Sequence, residues 1–206
     1  MTALHSVAVS REYQRIGLFG GTFDPPHVGH LVTAVNVRFA LGLDLVVLMV
    51  ANEPWQKVGT RPISPALDRL AMVEAAVDGI AGLAAGRTEI DHGGPSYTAD
   101  TLALLQDEYP GDTLFTIMGD DAAARFETWE RHAEVAQRSQ LVVVDRPGAA
   151  TALPVGYQWH VVEVPRLEVS SSDLRDRAAS GRPLDFLVTD PVLRVIRERR
   201  LYAEAS

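Results

Sequence analysis

The sequence predicts an α/β protein: a doubly wound parallel sheet closed by C-terminal helices. Apolar runs rich in Val, Ile and Leu alternate with helix-period patterns along nearly the whole chain. In the run LDLVVLMVA (43–51) every residue after Asp44 is apolar, as in a strand buried on both faces. Short turn signals, not long linkers, separate the elements, which favours a parallel sheet with right-handed crossovers.

Each element has its own signal. RIGLFG (15–20) reads as the first strand, followed by a helix over roughly 29–41 and the strand at 43–51. SPALDRLAMVEAAV (64–77) opens a helix, with Ser64 as N-cap and Pro65 at the first helical position. RTEID (87–91) is a weaker strand, YTADTLALLQDEY (97–109) a helix and TLFTIMG (113–119) a strand. FETWERHAEVAQR (126–138) has a helical pattern, QLVVVD (140–145) is a strand, and WHVVEVP (159–165) is the last strand. SSSD (170–173) and DP (190–191) mark the starts of two closing helices. Residues 1–13 are expected to be disordered.

Composition excludes several classes. The 206 residues are 47% hydrophobic, enough for a sizeable core without staples, and none is cysteine. That removes disulfides, thiolate metal sites and cysteine nucleophiles. No basic leader with an apolar core and no membrane-length apolar run occurs, so the expected location is cytoplasmic, with no membrane partner. A net charge of −8 opposes nucleic acid as a partner; RVIRERR near the C-terminus reads as the solvated last turns of a helix. An anionic ligand would therefore need local devices: backbone N–H groups, a few placed cations or a bound metal.

GLFGGTFDPPHVGH (17–30) supplies such a device. Gly20 and Gly21 end the first strand, where absent side chains admit a ligand close to the backbone. The helix after Pro26 offers N–H groups and a positive dipole end. His27 and His30, at i and i+3, share a helix face with Gly29 between them, so both imidazoles can address one anionic group. Neither a Walker A sequence nor G-x-G-x-x-G is present. Asp24 reads as the turn former of FDPP. Ser170 with Asp173 fits a capping box, and Arg175 adds a fork of donors close by.

GGTFDPPHVGH resembles the signature of the HxGH nucleotidyltransferase superfamily, and VSSSDLR (169–175) resembles its second motif, ISSTxIR. With SYTADTL (96–102), IMGDDA (117–122), FETWE (126–130) and VVVDRPG (142–148), the chain is similar to bacterial nicotinate-nucleotide adenylyltransferases from residue 15 to about 202. The resemblance implies a Rossmann-like fold, with residues 14–206 as a single nucleotidyltransferase domain. It also implies transfer of AMP from ATP to nicotinate mononucleotide. A phosphate monoester oxygen is already ionised at neutral pH, so such a reaction needs no general base; positioning and charge stabilisation suffice.

Roles follow from the resemblance. His27 and His30 contact the ATP phosphates; Gly20, Gly21, Thr22, Phe23, Ser170, Ser171, Ser172 and Arg175 complete the ATP site. Lys57, in the loop ANEPWQKVGTRP, reaches the phosphates, with Arg61 as a substitute candidate. Asn52, Thr98, Asp121 and Trp129 hold the nicotinate half: Thr98 binds its carboxylate, Asp121 a ribose hydroxyl, and Trp129 stacks on the pyridine ring. Asp120 looks like a variable position, and Glu130 stands where some relatives have Tyr. No side-chain cluster has zinc spacing, so the expected metal is Mg²⁺ carried with ATP. Two alternatives stay open: another HxGH transferase such as pantetheine-phosphate adenylyltransferase, whose motif has Thr in place of His27, and a non-catalytic nucleotide sensor. A homo-oligomer is left open as well.

Overall fold

The computed structural model describes residues 14–54, 62–145 and 152–202. The expectations for residues 1–13, Lys57 and Arg61 lie outside these residues. Six strands form one sheet: β1 (Arg15–Gly21), β2 (Leu45–Val50), β3 (Leu83–Gly86), β4 (Thr113–Gly119), β5 (Gln140–Asp145) and β6 (Trp159–Glu163). Their order is β3-β2-β1-β4-β5-β6 and every pairing is parallel. This is the doubly wound arrangement the sequence predicts. The order reverses between β1 and β4, whose carboxyl ends therefore flank a crevice.

The helices are α1 (Val28–Leu41), α2 (Ala66–Val77), α3 (Thr88–His92), α4 (Thr98–Glu108), α5 (Asp120–Ala123), α6 (His132–Arg138), α7 (Ser171–Ala179) and α8 (Asp190–Glu198). Strand alternation sorts the core. Leu45, Val47 and Met49 of β2 join a cluster with Ala99, Leu102 and Leu105 of α4 and Val135 of α6. Val46, Leu48 and Val50 join the opposite cluster with Ala34 and Val37 of α1 and Leu70 and Val73 of α2. Burial on both faces is why β2 carries no polar residue. A third cluster seats Leu174, Val192, Leu193 and Ile196 of the closing helices against Met72 and Ala76 of α2. Among the described residues no helix is long and apolar enough to cross a membrane.

Four local expectations are corrected. The third strand is LAAG at Leu83–Gly86, and RTEID forms α3 instead. A Cβ on Gly86 would lie 2.6 Å from Val47 Cγ1, so position 86 admits only glycine, despite its low strand propensity. Arg87 pairs with Asp91 at i+4 (2.8 Å), a helical spacing. The 126–138 helix is broken: Phe126–Thr128 is a 3-10 turn, Trp129 is extended, Arg131 adopts φ 52°, and α6 starts at His132. Arg131 is held there by ion pairs to Asp100 and Glu134. α2 starts one residue late, with Pro65 in the capping position; the Ser64 N–H donates to Asp24 Oδ2 and the Ser64 carbonyl accepts from Arg69. Asp24 is more than a turn former. It is 1% exposed, and its carboxylate also accepts from the Tyr202 hydroxyl at 2.7 Å.

Candidate active site

Two cavities meet at the crevice between β1 and β4, sharing Phe19, Gly20, Gly21 and Gly119. The first, about 270 Å³, lies toward Ser96, Tyr97, Thr98 and Trp129; the second, about 330 Å³, lies toward His27, Gly29 and His30. The two glycines that end β1 serve different ends. A Cβ at Gly20 or Gly119 would meet nothing within 4 Å, so their bare backbone is open to a ligand. A Cβ at Gly21 would lie 2.8 Å from Phe23 Cζ, so that glycine makes room for protein. Phe23 itself is buried at φ 50°, its ring edge-on to His30 with centroids 5.0 Å apart. The Thr22 side chain is buried and its carbonyl accepts from Arg69 Nη1 at 2.9 Å.

His27 is the N-cap of α1 and stacks on His30, centroids 3.7 Å apart. Its backbone N–H donates to His30 Nδ1 (3.1 Å), which leaves the proton of a neutral His30 ring on Nε2. The Val28 N–H is taken by the Leu187 carbonyl at 3.0 Å, so α1 offers fewer N–H groups to a ligand than its sequence suggests. Burial pushes the His27 imidazole down to about 4, and its buried Nδ1 has no hydrogen-bond partner among the described residues. His27 is therefore neutral at pH 7 in the free protein; a bound polyanion would draw its pKa back up. A Cβ on Gly29 would lie 3.0 Å from His27 Nδ1 and 3.2 Å from Val169 Cγ1, so glycine lets the segment before α7 close on the histidines.

The serine-rich segment docks on the same loop. Ser170 caps α7, accepting from the Asp173 N–H at 3.1 Å. The Ser171 hydroxyl donates to the Pro25 carbonyl (2.8 Å), and Arg175 Nη1 donates to the Asp24 carbonyl (2.7 Å). Arg175 Nη2 also holds the exposed Ser172 hydroxyl at 3.0 Å. The peptide bond between Asp24 and Pro25 is cis. The histidine pair and the start of α7, nearly 150 residues apart in sequence, thus flank one loop.

Around the other cavity, Thr98 is the first residue of α4 and Trp129 lines the wall beside Glu130. Trp129 packs on Phe126 (5.6 Å between centroids) and its Nε1 is buried with no partner among the described residues. Asn52 is engaged with the neighbouring loop: its N–H donates to Ser96 Oγ at 2.8 Å and its amide to the Gly94 carbonyl at 2.9 Å. Asp121 is exposed on the first turn of α5, whereas Asp120 lines the histidine-side cavity.

Two residues not singled out in the sequence hold this architecture. Arg69, 1% exposed, donates to the carbonyls of Thr22, Ala51, Asn52 and Ser64, tying the ends of β1 and β2 to the start of α2. Glu89 lines the first cavity; burial pushes its carboxyl up, while hydrogen bonds from Thr101 (2.7 Å) and Ser96 pull the other way. An arginine and a glutamate inside amphipathic patterns carry no motif, and only the fold reveals that they face inward.

The cytidylyltransferase-like family model matches residues 18–177. A probable nicotinate-nucleotide adenylyltransferase of Corynebacterium kroppenstedtii is 42% identical over 197 residues, spanning 94% of this chain and 93% of its own. One from Frankia casuarinae is 45% identical over 190 residues, spanning 91% of this chain and all of its own. Among solved structures, Plasmodium falciparum nicotinic acid mononucleotide adenylyltransferase complexed with NaAD has the same fold, with a TM-score of 0.73 at 14% identity. The likeness covers 92% of this chain and 97% of that one.

Proposed function

The chain belongs to the nicotinate-nucleotide adenylyltransferase family of cytidylyltransferase-like nucleotidyltransferases, and from that premise we infer that it transfers AMP from ATP to nicotinate mononucleotide. The products are pyrophosphate and nicotinate adenine dinucleotide, a step of NAD biosynthesis. The observation that carries this reading is the pair of cavities sharing Phe19, Gly20, Gly21 and Gly119. A reaction that joins two nucleotides needs two such compartments with a common boundary where the phosphates meet.

ATP occupies the histidine side. His30 donates Nε2–H to the α-phosphate region, and His27 gains a proton as the polyanion binds. The N-terminus of α7, with Ser170, Ser171, Ser172 and Arg175, takes the β- and γ-phosphates. Gly20, Gly21, Thr22 and Phe23 form the floor; for Lys57, with Arg61 as substitute, the family resemblance alone supports a role on the same phosphates. Nicotinate mononucleotide occupies the other side. The backbone N–H and hydroxyl of Thr98 at the start of α4 bind its carboxylate, Trp129 stacks on the pyridinium, and Asn52 and Asp121 address the remaining polar groups. The acceptor phosphate then attacks the α-phosphorus in line. Its oxygen is already ionised, so the side chains position and neutralise charge and remove no proton.

The imidazole, hydroxyl and guanidinium groups around the phosphate positions suit phosphate oxygens, and Mg²⁺ fits here as part of the ATP complex, supplying further charge neutralisation. The partners are thus ATP and nicotinate mononucleotide, met in the cytoplasm. Pyrophosphate release from Mg-ATP with each candidate acceptor tests the reading. Release with nicotinate mononucleotide is the expected result. Release only with phosphopantetheine, or tight ATP binding with no turnover, would overturn it.

A further inference from the structure

Asp24 lies three residues before His27, and its interior position is explained by what it holds. The Tyr202 hydroxyl, beyond the end of α8, donates to its Oδ1 at 2.7 Å, and the Ser64 N–H donates to Oδ2 at 3.3 Å. The carbonyl of the same residue accepts from Arg175, and the next carbonyl, that of Pro25, accepts from Ser171. Residues 24 and 25 are thus where the loop bearing the histidine pair meets the start of α7, and Tyr202 grips that junction from the far end of the chain. We propose that Tyr202 is a positioning residue for adenylyl transfer, fixing Asp24 and thereby the spacing between His27–His30 and the N-terminus of α7.

A purely packing role is the competing account. The Tyr202 ring does pack against the cluster of α2, α7 and α8, and its hydroxyl passes 3.8 Å from Met72 Sδ. The hydroxyl, however, is spent on a buried carboxylate, a charge-assisted bond that is short and directional. Burial, and next the charge of Asp24, push the phenol pKa up, so it remains a donor across the working range. The start of α7 is tied to the two carbonyls beside that carboxylate, and the histidine pair follows directly along the chain. In-line transfer is sensitive to displacements of about 1 Å, which cost on the order of 10²-fold. Loosening the junction should therefore appear in turnover before it appears in folding.

Tyr202→Phe separates the two accounts, because it keeps the ring and deletes only the hydroxyl. The expected result is a kcat about 10-fold lower at 25 °C, with KM for nicotinate mononucleotide within two-fold and the unfolding midpoint within a few degrees. If Tyr202 acts through the loop, its effect and that of Ser171→Ala on kcat combine to less than their product in the double variant. A kcat within two-fold of wild type, or effects that multiply, would overturn the proposal, as would a lowered midpoint with kcat unchanged. The proposal rests on the adenylyltransferase reading, which wild-type pyrophosphate release reports separately. Calorimetric affinity for α,β-methylene-ATP reports the junction without turnover: a loss of about five-fold in Tyr202→Phe supports it, and equal affinity contradicts it.

Discussion

At the residue scale, Gly20 and Gly21 sit side by side yet answer to different constraints, one to the ligand and one to the Phe23 ring. Gly21→Ala pushes a methyl to 2.8 Å from that ring and should lower stability by about 1–3 kcal/mol in urea unfolding. Gly20→Ala meets no protein atom within 4 Å and should leave stability unchanged while weakening ATP binding several-fold by calorimetry. Equal stability losses at both positions would refute this division of labour. His27 makes a pH prediction. Its folded pKa, about 4 against 6.5 unfolded, is depressed, so the unfolded chain binds the proton first as pH falls. The stability tied to neutral His27 is present above pH 6.5 and lost between 6.5 and about 4, by about 3 kcal/mol. His27→Gln should lose that much less than wild type over the same interval; parallel profiles would count against the buried, neutral imidazole. The doublet GG and the spacing H-x-G-H announced a ligand site in the sequence. Which glycine faces solvent and which faces Phe23 did not show, because that depends on the positive φ of Phe23.

Among the elements, those stated by an uninterrupted pattern were legible: β2 by its apolar run, α4 by its period, α7 by Ser170 and Asp173. The rest depended on partners distant in sequence. LAAG ends β3 on a glycine because Val47 and Met49 of β2 leave no room for a side chain at position 86, a fact of those residues and not of the segment itself. The break at Trp129–Arg131 answers to Asp100, Glu134 and an aromatic group in which Phe126 meets Tyr157 and Trp159 at 5.1 and 5.4 Å. That break leaves Trp129 at the cavity wall. Arg69 is the clearest case of an element-scale residue, since one guanidinium satisfies four carbonyls at the ends of β1, β2 and the lead-in to α2. Arg69→Met keeps the stem and orphans those carbonyls. It should cost about 3 kcal/mol or more in chemical denaturation; a loss below about 1 kcal/mol would mean that water satisfies them.

On the scale of the whole molecule, a chain of net charge −8 is assigned two anionic substrates. In the proposed reading they are met by local devices: the histidine pair, the fork of Arg175, and the helix starts of α4 and α7. The doubly wound order sets the histidine pair, Val169 just before α7 and Thr98 of α4 around one crevice at the strand-order reversal, where two cavities share a glycine-lined boundary. His30 stands at the centre of this arrangement, joined to His27 by stacking and by the His27 N–H. Steady-state pyrophosphate release by His30→Ala, with Mg-ATP and nicotinate mononucleotide saturating and thermal unfolding followed in parallel, tests it most directly. The expected outcome is a kcat lower by on the order of 10² or more, with the unfolding midpoint within a few degrees of wild type. Turnover within a few-fold of wild type would contradict the assignment of the paired imidazoles to the transferred phosphate.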